Sequence, residues 1–385
     1  MLTAEGCRRR RDLLWASLPE TPDWIFLHSP RNLVYFSGYY QSPFLYKSQN
    51  AGAMLILGAD GSSLLVADNL LTSYAESAYV DKIESPVWYN GRDSAPQRDG
   101  VLVNAVIDAM RFRRGGRFAV DAAVPALVID AICDITEEFQ PLDVSESVKG
   151  LMRSKHPDEM AVLGRCLRAA EAGYAAAAAN IKPGMTELQA YQLVNTACIE
   201  QAGEPVSIYG DFASGPNTEK GGGGPTLCVI EENDLFILDY SVIIQGYRCD
   251  LCNTFVVDGG EPTAKQKEMA EFCKEAMAAG ESTLRAGALA VDVDSAVRAA
   301  FAKRGMDAYF THHSGHGIGL GHPDPPYLVR ESTDTLVAGD VVTLEPGLYI
   351  KGVGGMRFER NYAITDSGFE QLSQHHIGLQ PLASL

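Results

Sequence analysis

The chain has 385 residues, of which 46% are hydrophobic, so it can bury substantial cores, and its length favours two domains. Its formal net charge of −17 disfavours attraction to nucleic acid or to an anionic membrane surface, and we expect neither as a partner. No segment approaches the roughly 18 apolar residues needed to cross a bilayer, and no apolar stretch follows the basic run at 8–11, so we expect a cytoplasmic protein.

The first part of the chain opens with a charged helix around that basic run and then alternates short apolar runs with helical stretches. Such alternation predicts an amino-terminal α/β domain over residues 1–152. The predicted strands cover 24–27, 32–37, 53–57, 63–67 and 118–120.

A domain boundary is predicted near residue 152, because Pro157 and the acidic residues after it are typical of the start of a long helix. The second domain then covers 153–385. Two further helix starts have the spacing of a capping box, in which a threonine precedes a glutamine by three residues. These are Thr186 with Gln189 and Thr263 with Gln266.

Two antiparallel strand pairs are predicted in the second domain, 235–241 with 247–256 and 341–350 with 356–364. Helices combined with antiparallel sheet make the predicted fold class α+β, with the α/β domain placed before it.

The first strand pair carries two acids in apolar surroundings, Asp239 and Asp250. A hairpin that turns at 244–245 would place them directly opposite each other, roughly 5 Å apart. Like charges at that separation repel, so the pair requires partners.

The second strand pair repeats this construction, since Glu345 and Glu359 are equally far from Gly352 in the link between the strands. Arg357 or Arg360 could neutralise one of these acids. Two opposed acid pairs need more positive charge than one arginine brings.

Two divalent cations would balance four converging carboxylates. His316 can supply an imidazole nitrogen as a further ligand, because the glycines around it let its backbone approach the acids closely. Mixed carboxylate and imidazole ligands suit manganese, iron, cobalt or zinc, and we expect manganese. The sequence therefore predicts a site for two divalent metal ions held by Asp239, Asp250, His316, Glu345 and Glu359.

These residues resemble the pita-bread family of metallopeptidases and its relatives, which include aminopeptidase P, prolidase and the metal-free creatinase. The run at 32–38 looks like the creatinase-type amino-terminal domain, and 153 onward looks like the family's hinge and first helix. The resemblance implies a pita-bread catalytic domain at 153–385 behind a creatinase- or prolidase-like domain at 1–152. Its specific motifs are Asp239, Gly246-Tyr247-Arg248-Cys249-Asp250, Gly315-His316-Gly317-Ile318-Gly319, Glu345-Pro346-Gly347 and Arg357-Phe358-Glu359.

The resemblance also implies how the ligands divide between the metals. Asp250 and Glu359 bridge them, Asp239 completes one metal, and His316 with Glu345 completes the other. Two metals about 3.5 to 4 Å apart hold a bridging hydroxide that attacks an amide carbonyl.

The remaining roles rest on the same resemblance. Glu345 is implied to be the proton shuttle. His312 and His322 are assigned to catalysis and, with Arg357, to substrate binding. A homodimer is implied as well, with the segment 39–46 at the substrate entrance.

Two departures from the family pattern concern substrate contacts. The loop in which the peptidases carry a histidine reads Lys-Gly-Gly-Gly-Gly-Pro at 220–225. The second family histidine, seven residues after the ligand histidine, is replaced by Pro323, and His322 lies one position earlier. We expect His322 to compensate, and we assign no role to His375 and His376, which we expect at the surface.

The sequence leaves three hypotheses for the function. The first is an Xaa-Pro dipeptidase or aminopeptidase acting on a small peptide, and the metal set supports it. The second is a relative repurposed for a small metabolite, like ectoine hydrolase or the dimethylsulfoniopropionate lyase, although Ser241 stands where that lyase has an extra aspartate. The third is a metal-free binding module, like a histone chaperone subunit of similar fold, which the five retained ligands disfavour.

Overall fold

The computed structural model describes residues 1–44, 52–92, 100–111, 116–136, 140–257 and 261–380. The chain forms two compact units, Met1–Met152 and Arg153–Leu385. The predicted substrate-entrance segment 39–46 lies partly outside the described residues. Among the described residues, no helix is both long enough and apolar enough to span a membrane.

The described residues of the first unit form a six-stranded mixed sheet in the order β4-β3-β2-β1-β5-β6. Apolar residues of β1, β2, β3 and β5 and of α4 and α5 form its core. The strands are β1 (Trp24–Leu27), β2 (Ala53–Gly58), β3 (Ser63–Ala67), β4 (Lys82–Glu84), β5 (Phe118–Val120) and β6 (Leu142–Asp143), and the helices are α1 (Ala4–Ser17), α2 (Pro30–Ser37), α3 (Thr72–Ala75), α4 (Val101–Met110), α5 (Ala126–Thr136) and α6 (Ser145–Arg153).

The strand predicted at 32–37 is wrong, because these residues lie in α2. Pro30 occupies the first helical turn, where its missing N–H costs nothing. Gly38 ends the helix at φ +70°, and its N–H donates to the carbonyl of Val34. All six residues are buried, and the four between Asn32 and Ser37 form an unbroken hydrophobic run, so no periodicity separates helix from strand.

In the described part of the second unit, four long helices combine with antiparallel sheets of four, five and two strands. Its main core lies between α9, α10 and the strands around them. The helices are α7 (Pro157–Asn180), α8 (Glu187–Ala202), α9 (Ala264–Glu281) and α10 (Ala290–Lys303), and the strands are β7 (Ser207–Ser214), β8 (Leu235–Ile244), β9 (Tyr247–Arg248), β10 (Leu251–Val256), β11 (Gly315–Gly317), β12 (Asp324–Leu328), β13 (Val341–Leu344), β14 (Gly347–Ile350), β15 (Gly354–Arg357), β16 (Arg360–Ile364) and β17 (Phe369–Gln371).

The predicted helix starts and the α+β class are confirmed. Helix α7 begins at Pro157, and both α8 and α9 begin with a reciprocal capping box. Thr186 accepts from the backbone N–H of Gln189, and Thr263 accepts from that of Gln266. These caps satisfy backbone donors that the first helical turn leaves without partners.

Candidate metal centre

Strands β8 and β10 bring Asp239 and Asp250 to one face of a sheet, although their predicted direct opposition is wrong. Asp239 pairs with Cys252, so Asp250, two residues before Cys252, is its diagonal neighbour. The turn falls at Gln245 and Gly246, one residue later than predicted, and this moves the pairing by two residues. Because side chains alternate with a period of two, the shift leaves both acids on the same face.

The second hairpin has the predicted register. Leu344 pairs with Arg360 and Gly347 pairs with Arg357, so Glu345 and Glu359 lie level with each other where the strands part. At this gap the Glu345 N–H donates to the carbonyl of Ser314, and the Glu359 N–H donates to the carbonyl of Cys252, each at 2.9 Å. These two bonds join the hairpin to the histidine segment and to β10. All four carboxylates therefore converge.

His316 reaches the same point because glycines flank it. A Cβ at Gly315 would lie 2.2 Å from the carbonyl oxygen of Thr343, and one at Gly317 would be equally close to that of Pro325. The Nδ1 atom of His316 lies 3.0 Å from the carbonyl oxygen of Gly317. Its Nε2 atom is left to face the acids, 3.5 Å from Glu345 Oε1 and 3.8 Å from Asp250 Oδ2.

The donor set fits divalent cations. Glu359 Oε1 is buried and accepts no hydrogen bond from any described residue. Burial, reinforced by the neighbouring Asp250, raises the pKa of Glu359 well above its usual range. Burial likewise raises the pKa of Asp239 to about 7, although Arg357 opposes the shift. Three carboxylate oxygens, from Asp239, Asp250 and Glu359, lie within 4.8 Å of one another, as hard oxygen ligands of one ion would.

Arg357 is a buried cation that faces this acid cluster. Its Nε donates to Asp239 Oδ2 at 2.6 Å and one terminal nitrogen donates to Asp211 Oδ2 at 2.5 Å. The other terminal nitrogen donates to the carbonyl of Gly221 at 2.9 Å and to the Tyr349 hydroxyl at 3.0 Å. One buried guanidinium therefore orients Asp239 but leaves most of the negative charge unbalanced.

His312 continues this network. Its Nε2 atom lies 2.9 Å from the Tyr349 hydroxyl and its Nδ1 atom 2.8 Å from the carbonyl oxygen of His313. Burial lowers the pKa of His312 to about 4, so the imidazole is neutral at pH 7. Asp211 and Tyr349 were not predicted from the sequence as parts of the site. Asp211 pairs with Asp239 across β7 and β8, which reveals its position once the sheet is known.

Two more histidines complete the cluster. His322 Nε2 lies 2.7 Å from Asp250 Oδ2, so the structure brings this predicted residue into the site. His313, which the sequence analysis did not single out, has its Nε2 3.1 Å from Glu345 Oε1. Although burial alone would raise it, the hydrogen bond from His313 lowers the pKa of Glu345 below its usual value.

These groups line a cavity of about 460 Å³. Its wall includes the five predicted metal ligands together with His312, His322 and Arg357. Tyr209, Asp211, Lys220 and Gly221 lie on the same wall. The cavity can hold a small peptide or metabolite beside the acids.

The glycine run at 221–224 packs against the Asp211–Arg357 pair. Gly222 has φ +130°, and a Cβ there would lie 2.1 Å from Asp211 Oδ2. Phe212 N–H donates to the carbonyl of Gly223 at 2.9 Å. Close approach therefore requires glycine at 222.

His375 is buried, so the prediction that it lies at the surface is wrong, whereas His376 is exposed. The His375 ring stacks on Tyr174 with 4.9 Å between centroids, and its Nε2 lies 3.2 Å from the carbonyl oxygen of Cys252. It packs against β10, the strand that begins directly after Asp250.

Comparison with known proteins agrees with this fold. Residues 161–366 match Metallopeptidase family M24. An uncharacterized peptidase of Bacillus subtilis is 30% identical over 234 residues, which cover 61% of this chain and 66% of the relative. An uncharacterized peptidase of Staphylococcus saprophyticus is 27% identical over 362 residues, which cover 91% of this chain and 95% of the relative.

Solved structures share the two-domain fold. The Xaa-Pro dipeptidase from Bacillus anthracis has a TM-score of 0.79 at 23% identity, covering 98% of this chain and 100% of that chain. The prolidase from Pyrococcus horikoshii has a TM-score of 0.77 at 23% identity, covering 98% and 99%.

Clustered carboxylates and imidazoles at the meeting of two hairpins in a pita-bread fold are the arrangement typical of metal-dependent hydrolases. The family match covers more than half of the chain. The chain belongs to Metallopeptidase family M24.

Proposed function

We propose that this chain is a dinuclear metal-dependent peptidase that cleaves small Xaa-Pro peptides, as a dipeptidase or an aminopeptidase. The observation that carries the proposal is the convergence of four buried carboxylates and His316 in one cavity, with Glu359 Oε1 lacking a partner among the described residues. Family membership and the peptidase names of the relatives support the same activity.

The proposed ligands divide into two overlapping sets. Asp250 and Glu359 belong to both, Asp239 completes the first, and His316 with Glu345 completes the second. When bound, two divalent ions supply an activated water and polarise the scissile carbonyl. We propose manganese, with iron, cobalt or zinc as alternatives, because the donors are carboxylate oxygens and imidazole nitrogen.

Glu345 is the proposed proton carrier. Its Oε1 accepts hydrogen bonds from His313 and Thr343, which fix the carboxylate at the cavity wall. A carboxylate held in this way can take a proton from the attacking water and deliver it to the leaving nitrogen.

The residues proposed to contact substrate already have partners within the protein. His312 is a neutral imidazole at the cavity wall, with Nδ1 near the carbonyl of His313 and Nε2 near the Tyr349 hydroxyl, so a peptide group would contact it by taking the place of the Tyr349 hydroxyl. Arg357 has its donors engaged by Asp239, Asp211, Tyr349 and Gly221. We therefore propose Arg357 as a positioning residue for Asp239.

A small amide-bearing metabolite is the second candidate substrate, and the glycine run favours it. Gly222 lies against Asp211 where no side chain fits, in the loop where peptidases of the family are expected to carry a histidine. Losing a hydrogen bond to developing charge costs on the order of 10 to 10³ in rate.

A manganese-supplemented panel of Xaa-Pro dipeptides and longer Xaa-Pro peptides tests these candidates. We expect slow cleavage or a narrow subset of substrates, because two histidine contacts are absent from their family positions. Broad cleavage at ordinary efficiency by wild type and by His322→Ala would leave a plain peptidase. If the metal-loaded protein cleaves none of the peptides, the small amide-bearing metabolite becomes the favoured substrate.

The variant Glu359→Gln tests the metal centre itself. It should lose at least one metal equivalent and about 100-fold or more in activity, since this carboxylate is proposed to serve both ions. Elemental analysis and turnover measure the two effects. Glu370→Gln, which changes an exposed acid on β17, is the matched control and should behave as wild type. Near wild-type metal content and turnover in Glu359→Gln would remove that residue from the site.

A further inference from the structure

His322 shares a carboxylate oxygen with His316. Its Nε2 lies 2.7 Å from Asp250 Oδ2, and His316 Nε2 lies 3.8 Å from that same oxygen. The two rings meet edge to face at 4.7 Å between centroids. One ligand atom from each of His316, His322 and Asp250 falls within a group whose members are all within 4.8 Å of one another.

These separations suit donors to a common ion. Two donors that each lie about 2.0 to 2.2 Å from one metal are about 3 to 3.5 Å apart in octahedral or tetrahedral geometry. The distance from Asp250 Oδ2 to His322 Nε2, 2.7 Å, lies just below that interval, and the distance from the same oxygen to His316 Nε2, 3.8 Å, lies just above it. Two imidazoles and one carboxylate are a donor combination typical of transition-metal sites.

The surroundings of His322 hold its ring against the cavity. The ring of Tyr209 packs edge-on against it, with 5.7 Å between centroids. The guanidinium of Arg248 donates to the Tyr209 hydroxyl. The other oxygen of Asp250, Oδ1, accepts from Ser241 at 3.2 Å, which orients the carboxylate so that Oδ2 faces the two histidines. Ligands that are oriented by such outer contacts bind metal more tightly.

We propose that His322 is a metal ligand that joins His316 and Asp250 on one ion, which makes one of the two subsites rich in nitrogen. The other subsite, of Asp239, Asp250 and Glu359, offers oxygen alone. This inference rests on the proposed metal centre and gives it a chemical asymmetry. The nitrogen-rich subsite selects ions late in the first transition series such as cobalt or zinc, and the oxygen subsite accepts manganese.

The experiment is a titration of metal-free protein with cobalt(II), read by binding isotherm, visible absorption and X-ray absorption. Wild type at one cobalt equivalent should show two imidazoles per cobalt. His322→Gln should show one and should bind the first equivalent about 100-fold more weakly, at the upper end of the loss seen when even an outer-shell partner is removed. His376→Gln changes an exposed histidine and should match wild type in both measurements.

The imidazole count separates a ligand from a residue that only hydrogen-bonds Asp250. One imidazole per cobalt in both wild type and His322→Gln would overturn the proposal, even with weakened binding. Circular dichroism of the metal-free proteins checks folding, and His322→Ala serves as the second variant should the glutamine variant misfold. If the wild type shows two imidazoles per cobalt but cleaves no peptide, only the proposed peptidase activity is contradicted. If it cleaves peptides but shows one imidazole per cobalt, only the role of His322 as a ligand is contradicted.

Discussion

His375 is a buried residue for which the sequence offered no signal. A pair of histidines after polar neighbours is typical of a surface position, yet the chain packs the His375 ring between Tyr174 and the carbonyl of Cys252. Its Nδ1 atom is buried and has no hydrogen-bond partner among the described residues. Burial lowers the pKa of His375 to about 4.

This pKa makes stability depend on pH in a defined direction. Between about pH 6.5 and 4 the unfolded state binds a proton at His375 that the folded state excludes. The contribution of the neutral His375 to the free energy of unfolding is therefore complete above pH 6.5 and is lost as the pH falls towards 4. The loss is on the order of 3 kcal/mol at pH 4. Urea unfolding of wild type and His375→Phe at pH 7 and pH 4.5 measures it. The phenylalanine variant keeps the stacking on Tyr174 and should lose less stability on acidification, so equal losses would contradict the assignment.

At the scale of elements, the sequence predicted most strands and the helix starts because their signals are local. Capping boxes at Thr186 and Thr263 need only four consecutive residues. The second hairpin register follows from Gly352, which is the midpoint of a glycine-rich link. These signals were enough to bring Glu345 and Glu359 level.

Two local predictions were wrong, the turn position of the first hairpin and the strand at 32–37. The first hairpin turns at Gln245 and Gly246, both with positive φ, so Gly246 at the second turn position was the informative residue. Helix α2 was mistaken for a strand because burial on every side removes periodicity. His313 and Asp211 required the tertiary structure, since neither has a spacing that identifies it.

The glycine run gives a prediction about the loop and the site together. Gly222→Ala places a Cβ against Asp211 Oδ2 at a positive φ, which should lower the unfolding free energy by about 1 to 3 kcal/mol. It should also loosen the hold of Asp211 on Arg357, and so of Arg357 on Asp239, with a loss of activity of about 10- to 100-fold. Thermal unfolding and turnover measure these effects.

Gly224→Ala is the matched control for that loop. A Cβ at Gly224 would meet nothing within 4 Å, and its φ is not in the positive range. Its stability should stay within about 0.5 kcal/mol of wild type. Equal behaviour of the two alanine variants would show that the contact with Asp211 does not matter.

At the scale of the whole molecule, the two units have separate cores. The core of Met1–Met152 draws on its six-stranded sheet with α4 and α5, and that of Arg153–Leu385 draws on α9, α10 and the antiparallel strands. All five candidate ligands lie in the second unit. The homodimer implied by the family resemblance stays a prediction, which sedimentation velocity at micromolar concentration checks.

Residues 153–385 expressed alone should therefore fold and take up two equivalents of divalent metal. Arg153 belongs to this fragment and keeps its hydrogen bond to Asp340, with its Nε 2.7 Å from Oδ1, so the start of the second unit remains anchored. Each buried carboxylate keeps its neighbours because Arg357, Asp211, Tyr349 and the histidines are all within the fragment. Cooperative thermal unfolding shows folding, and elemental analysis after manganese or cobalt loading measures uptake. The same fragment with Glu359→Gln should bind at least one equivalent less, because the carboxylate proposed to serve both ions is gone. A fragment that unfolds cooperatively but binds no metal would show that the donor set in 153–385 is insufficient by itself.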